Sequence, residues 1–336
     1  MQIKHNQPTL GRAEYKAART SIMSGLLING VETEKFETAL AEYFQIKSGG
    51  VVCLSSGSAA IFLALALLQD VSKVHIPVFT CSAVSQAVRL SGKQLSFIDN
   101  VQDTPNAYYS SSLMQKNDIS IIVDTFGQVA EIDTRLLSSN SIEDISQAFG
   151  AVYAKAKIGT RTKIAVGSLS ATKIITSGGQ GGFLILEDDA MYLAAKDFLN
   201  YDGRSDTRFR FNLRMTEAQA AIGRVQLTRV EEFLSKREAI FQRYISEGIP
   251  LIDSLNVGDV RYRAILRHSN PQEIISRLSR GRIDSIVPFK VEEFQDDPMK
   301  HPHAKEFADS VVSLPIYPNL SLRKVSQICA QLREII

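Results

Sequence analysis

Between residues 51 and 199 the chain alternates short β-branched runs with longer stretches of helical periodicity. That alternation admits few architectures other than a mostly parallel sheet covered by helices. The runs 51–54, 74–76, 94–98, 119–123, 141–143, 164–167 and 182–186 read as strands, and 12–24, 34–44, 58–68, 82–91 and 190–199 as helices. The run 59–68 is uninterruptedly apolar yet falls well short of the ~20 residues a membrane span needs, so it predicts a helix buried on all sides. A long amphipathic helix is predicted from Thr216 through Gln226, Val230, Phe233 and Ile240. Beyond Gly248, strands at 260–266, 285–287 and 311–314, a helix at 271–278 and a last helix from Ser321 predict a small α+β unit. The expected division is a large domain over 1–225 and a small one over 226–336, with the boundary inside the long helix.

Composition narrows the function classes. With 44% hydrophobic and 22% charged residues among 336, the chain is expected to fold around a sizeable core. Its 38 Lys and Arg against 36 Asp and Glu leave a formal charge of +2, too weak a field to recruit nucleic acid. The local stretch Arg204, Arg208, Arg210 and Arg214, interleaved with Phe209 and Phe211, does not change that expectation. Cys53, Cys81 and Cys329 are too scattered for a disulfide framework, and the N-terminus lacks the apolar core of a secretory signal. A reducing cytoplasm is the expected location, with no membrane partner. No metal site is expected either, since His301-Pro302-His303 shows no carboxylate or cysteine at ligand spacing.

Three segments carry candidate chemistry. Ser55-Ser56-Gly57-Ser58-Ala59-Ala60 leaves a strand and opens a helix, where free N–H groups and a glycine suit an anion such as phosphate. Taken alone, an ordinary N-cap is the plainer reading. Lys173, between a strand end and the glycine-rich run 178–182, could be a desolvated amine able to form a Schiff base. By spacing alone it is equally a solvated lysine beside turn glycines. Asp144 closes a strand at the edge where open α/β sheets place ligands, or simply caps a loop.

Taken in order, these segments resemble the DegT/DnrJ/EryC1/StrS family of pyridoxal-phosphate-dependent sugar aminotransferases. The shared pieces are Ser56-Gly57-Ser58-Ala59-Ala60, Phe126-Gly127-Gln128, Glu143-Asp144 with Gln147-Ala148 and Gly150, and Ser168 five residues before Lys173. Gly181-Gly182, Asn212-Leu213-Arg214-Met215 with Gln219-Ala220-Ala221, and Leu314-Pro315-Ile316-Tyr317-Pro318 complete the set. The resemblance implies fold type I, an α/β large domain with a mostly parallel seven-stranded sheet plus a smaller C-terminal α+β domain, and pyridoxal 5′-phosphate as cofactor. It makes Lys173 the residue of the internal aldimine and the proton carrier, and Asp144 the carboxylate that keeps the ring nitrogen protonated. Gln147 would bond the ring's 3-oxygen, while Gly57, Ser58 and Ser168 would hold the phosphate. Asn212 would reach the cofactor of a second subunit, making a homodimer with shared sites. The implied reaction moves an amino group, expected from L-glutamate, to a keto group of a nucleotide-linked sugar.

The chain departs from the family pattern in places. The position expected to stack an aromatic ring on the cofactor falls on Cys81, with Phe79 as a possible substitute; losing the stack would weaken binding only about 2- to 13-fold. Phe149 stands where histidine is common, Gln180 where glutamate precedes Gly181-Gly182, and the stretch before Leu314 is short. Two alternatives follow. One is a non-catalytic or regulatory protein that keeps the fold, which Cys81 and the short C-terminal part favour. The other is a dehydratase of the same superfamily, whose members replace the lysine by histidine, so Lys173 argues against it.

Overall fold

In the computed structural model, which describes residues 2–136, 141–253, 256–334 and 336, two helices precede the sheet: α1 (Arg12–Met23) and α2 (Val31–Phe44). The central part runs β1 (Gly50–Leu54), α3 (Gly57–Leu67), β2 (Lys73–Pro77), α4 (Ser82–Leu90), β3 (Gln94–Ile98), β4 (Asp118–Val123) and β5 (Ser141–Asp144). A short hairpin, β6 (Val152–Tyr153) and β7 (Ala156–Lys157), leads to β8 (Ile164–Ser168), β9 (Gly182–Leu186) and α5 (Asp189–Leu199). There follow α6 (Glu217–Leu227), α7 (Val230–Ser246), β10 (Ala264–Arg267), α8 (Pro271–Arg280), α9 (Pro302–Asp309), β11 (Val311–Leu314) and α10 (Leu322–Leu332).

The seven expected strands form one sheet in the order β1-β9-β8-β5-β4-β2-β3. Pairs β2–β3, β2–β4, β4–β5 and β5–β8 are parallel. Only β9 runs against its neighbours β8 and β1, so β1 points the same way as the parallel set. One face of the sheet is covered by α3, α4 and α5, the other by α2, α6 and the start of α7. The apolar segment is α3, and Ala59 through Leu65 are all buried, as an all-round hydrophobic helix requires. β10 and β11 pair antiparallel and share a separate core with α7, α8 and α10.

Three local expectations are corrected. The long helix is two: Thr228 and Arg229 break it, with the Thr228 hydroxyl donating to Val225 O at 2.7 Å. The Arg229 guanidinium turns away to Glu14 at 2.8 Å and Glu232 at 3.0 Å. The strand expected at 260–266 begins only at Ala264, because Val260 N–H donates instead to Gly127 O at 3.0 Å. Residues 285–287 contribute a single bridge, Ile286 to Ser313.

Candidate active site

Strand register gathers the chemistry at one sheet edge. Leu54, Gly182 and Ser168 lie in a row across β1, β9 and β8, so the start of α3, the end of β8 and the end of β5 open onto the same rim. That rim is the carboxyl end of the parallel strands, where such sheets bind ligands.

At its base is a cradle. The Ser56 hydroxyl caps α3 by accepting from Ala59 N–H at 3.1 Å, while Ser58 is exposed at the first turn. A Cβ on Gly57 would lie 2.9 Å from Ser168 Cβ, and one on Gly182 would lie 2.3 Å from the Ser56 carbonyl carbon. Only glycine lets these backbones come so near, which sets the first turn of α3, with its free N–H groups, against Ser168, an arrangement suited to an anion.

Asp144 is 4% exposed and ends β5. Its carboxylate accepts from Ser146 N–H at 2.9 Å. Among the described residues it has no ion-pair partner. Burial pushes its pKa up, opposed by hydrogen bonding to Ser146 and by the charge of Lys173. Gln147, also buried, accepts Phe126 N–H on Oε1 at 3.1 Å, so its amide nitrogen is left as the donor. Phe126 itself sits at φ +61°, a strained setting for an aromatic residue that aims its N–H at Gln147.

Lys173 follows β8 in a tight loop, its N–H donating to Ser170 O at 3.0 Å. Its Nζ lies 5.4 Å from the centre of the Tyr262 ring. Tyr262, Arg263 and Arg237 were not singled out from the sequence; they come from the segment between α7 and β10 and from α7 itself. Tyr262 and Arg263 follow the Val260 N–H bond to Gly127 O, a contact no local pattern signals. Burial raises the Tyr262 pKa, but the surrounding Lys173, Arg263 and Arg237 and a hydrogen bond with Thr172 bring it below its ordinary value. Deeper in the sheet, Arg161 pairs with Asp124 at 2.8 Å and with Glu143, tying the ends of β4 and β5.

The remaining predicted residues fall as follows. Cys81 is exposed and precedes α4. Phe79 cannot substitute for it, being fully buried among Phe126, Phe289, Phe294 and Phe307 at ring distances of 5.0–6.4 Å. Phe149 is accounted for by an aromatic cluster, stacked on Tyr43 at 5.2 Å and edge-on to Phe44 and Phe183. Asn212 is exposed, its Oδ1 accepting from Arg214 N–H, and no contact joins it to Lys173 within this chain. Arg210 is neutralised by Asp197 and Asp206, each within 2.9 Å. His301 does have a nearby carboxylate, Asp296 at 3.0 Å, contrary to the sequence reading; among the described residues no group of three metal-ligating side chains forms.

These residues fit pyridoxal phosphate: an anion cradle, a buried carboxylate lacking a cation, an amide donor and a lysine amine share one rim. A model of the DegT/DnrJ/EryC1/StrS aminotransferase family matches residues 8–333. The chain is 26% identical over 334 residues to a GDP-perosamine synthase of Escherichia coli O157:H7, covering 90% of this chain and 89% of that protein. It is 27% identical over 369 aligned residues to a dTDP-3-amino-3,4,6-trideoxy-alpha-D-glucose transaminase of Micromonospora megalomicea subsp. nigra, covering 96% of each. Among solved structures, the aminotransferase TlmJ of Streptoalloteichus hindustanus superposes with a TM-score of 0.87 at 23% identity, covering 99% of this chain and 98% of that one.

Proposed function

Because the chain belongs to the DegT/DnrJ/EryC1/StrS aminotransferase family, a family of pyridoxal-phosphate enzymes, we propose that it transfers an amino group from L-glutamate to a keto group of a nucleotide-linked sugar. The observation that carries the reading is Asp144, a buried carboxylate that feels the charge of Lys173 but has no ion-pair partner among the described residues. A buried charge without a partner is costly, and a protonated ring nitrogen is the partner this one lacks. The two relatives compared above are named for nucleotide-linked amino sugars, which supports the acceptor class.

When bound, pyridoxal phosphate supplies an aldehyde that condenses with amines and a ring that takes up the electron pair left when the substrate carbon loses its proton. The chain does the rest. Lys173 holds the cofactor through Nζ and, once displaced, carries the proton at that atom. Asp144 holds the ring nitrogen protonated; a carboxylate at such range shifts a neighbouring pKa by about 1–3 units, roughly 1.4–4 kcal/mol. Gln147 donates from its amide nitrogen to the ring's 3-oxygen. Gly57, Ser58 and Ser168 hold the phosphate. Asn212, exposed on its own subunit, would act in the site of a second copy. The exposed apolar residues Ile22, Met23, Leu26, Leu27 and Ile28 support a homodimer. Two domains, 1–225 and 226–336, are proposed with it, supported by the separate core around β10 and β11.

A non-catalytic relative is the second reading, favoured by the exposed Cys81 and inward-facing Phe79. Glutamate separates the two. The purified holoprotein is expected to be yellow, to bleach on adding L-glutamate, and to release 2-oxoglutarate in step. Lys173→Ala is expected to lose the colour. A yellow protein that glutamate leaves unchanged would favour the second reading, and an unaltered spectrum in Lys173→Ala would refute the lysine assignment.

A further inference from the structure

Near Lys173, around the Tyr262 ring, the structure gathers two further cations, Arg237 and Arg263. Arg263 is half-buried, yet its Nε is shielded from solvent and has no hydrogen-bond partner. Nη1 reaches only neutral groups, Ser313 Oγ at 3.3 Å and His5 Nε2 at 3.4 Å. Arg237, 1% exposed, donates from Nη1 to the carbonyls of Arg261, Tyr262 and Ile316, and its Nε is likewise unpartnered. Among the described residues no Asp or Glu forms an ion pair with Lys173, Arg237 or Arg263. Burial and these two guanidiniums push His5 down to about 3, so it adds no charge of its own at neutral pH.

Arg263 and Lys173 approach the same aromatic ring. The Arg263 guanidinium lies 5.3 Å from the ring centre of Tyr262 and 5.6 Å from that of Phe126, whose N–H holds Gln147. The groups proposed for the cofactor leave this charge over: the phosphate falls to the start of α3, the ring nitrogen to Asp144, and the 3-oxygen to Gln147. A guanidinium with a free edge is built to take a carboxylate in paired hydrogen bonds.

We propose that Arg263 is the residue that recognises a substrate carboxylate beside Lys173, and so selects carboxylate-bearing substrates for this site. The inference rests on the aminotransferase reading. The carboxylate can come from the amino donor or from a uronic acid in the keto sugar; the recognising chemistry is the same, and two half-reactions tell them apart.

The test begins on unaltered holoenzyme, with glutarate as an unreactive dicarboxylate and its diamide as the neutral control, bound at equilibrium by calorimetry. Glutarate is expected to bind and to compete with glutamate, the diamide to do neither; equal binding of both would overturn the proposal. Arg263→Gln is then expected to keep its yellow colour while the glutamate concentration giving half-maximal bleaching rises roughly ten- to hundred-fold, the loss of a charged hydrogen bond. Arg263→Lys, which keeps the charge but not the fork, should recover part of this. A rise with glutamate alone assigns the carboxylate to the donor. A rise seen only when pyridoxamine-loaded enzyme meets a keto-uronate nucleotide, and not its neutral counterpart, assigns it to the acceptor. Unchanged half-saturation in both half-reactions overturns the inference while leaving the aminotransferase reading intact. Failure of glutamate to bleach the unaltered protein would strike that reading instead, and glutarate binding would still report on Arg263.

Discussion

At the scale of single residues, the proposed site turns on one carboxylate whose charge burial disfavours. Burial drives Asp144 toward its neutral form, while the Ser146 hydrogen bonding and Lys173 pull the other way. A protonated ring nitrogen would settle the balance on the charged side. Asp144→Asn keeps the shape and removes that control, so the variant is expected to bind cofactor but transfer from glutamate about 10- to 1000-fold more slowly in single turnover. Full speed would remove Asp144 from the proposed role. By position near strand ends alone, a loop cap or a solvated lysine was the plainer reading; Asp144, Gln147 and Lys173 were singled out in the sequence through the family resemblance. Tyr262, Arg263 and Arg237 were not, since residues about 90 positions from Lys173 in the case of Tyr262 meet it only through tertiary packing. The direction of Phe79 was equally hidden: alternation says that a side chain points to one face, but five aromatic rings in one cluster decided which.

At the scale of elements, the turn after β4 does more than connect. Gly127 has φ +89°, and a Cβ there would lie 2.1 Å from Val260 O, the carbonyl of the residue whose N–H bonds Gly127 O. This contact fixes the segment that carries Tyr262 and Arg263, and it explains why β10 starts later than its β-branched residues suggest. Gly127→Ala is expected to cost at least about 1–3 kcal/mol in a denaturation midpoint. It should also weaken the response to glutamate, whereas Gly92→Ala, with a similar positive φ but open space around it, should lose stability without that second effect. Equal behaviour of the two variants would separate the turn from the site. Strands and buried helices were readable because period and apolarity act locally. The break between α6 and α7 was not, because the amphipathic pattern runs on through Thr228 and Arg229 while Arg229's partner Glu14 lies on α1.

Across the whole molecule, the N-terminal segment straps the parts together. Ile3 bridges Ile283 and joins the core around β10 and β11, His5 meets Ser313 at 2.9 Å, and Asn6 donates to Thr172 O at 2.9 Å beside Lys173. The loop of Lys173 is thus held from the far end of the chain. Residues 200–212 are almost wholly exposed, and Phe209, which meets the core only edge-on at Phe198 at 5.7 Å, stacks on the exposed Phe211 at 6.3 Å. Exposed aromatic residues beside an exposed Asn212 make sense if a second subunit covers them. The consequence can be tested without a structure of the dimer. Lys173→Ala and Asn212→Ala proteins are each expected to be nearly inactive, for different reasons. In a hybrid dimer, one site would combine the intact Lys173 of the second variant with the intact Asn212 of the first. Random re-pairing of equal amounts should then restore about a quarter of the unmutated activity, since half the dimers are hybrid and each holds one complete site. Recovery near that level would require Asn212 to act across the interface. No recovery, with hybrid dimers demonstrated by differential tagging, would confine Asn212 to its own subunit.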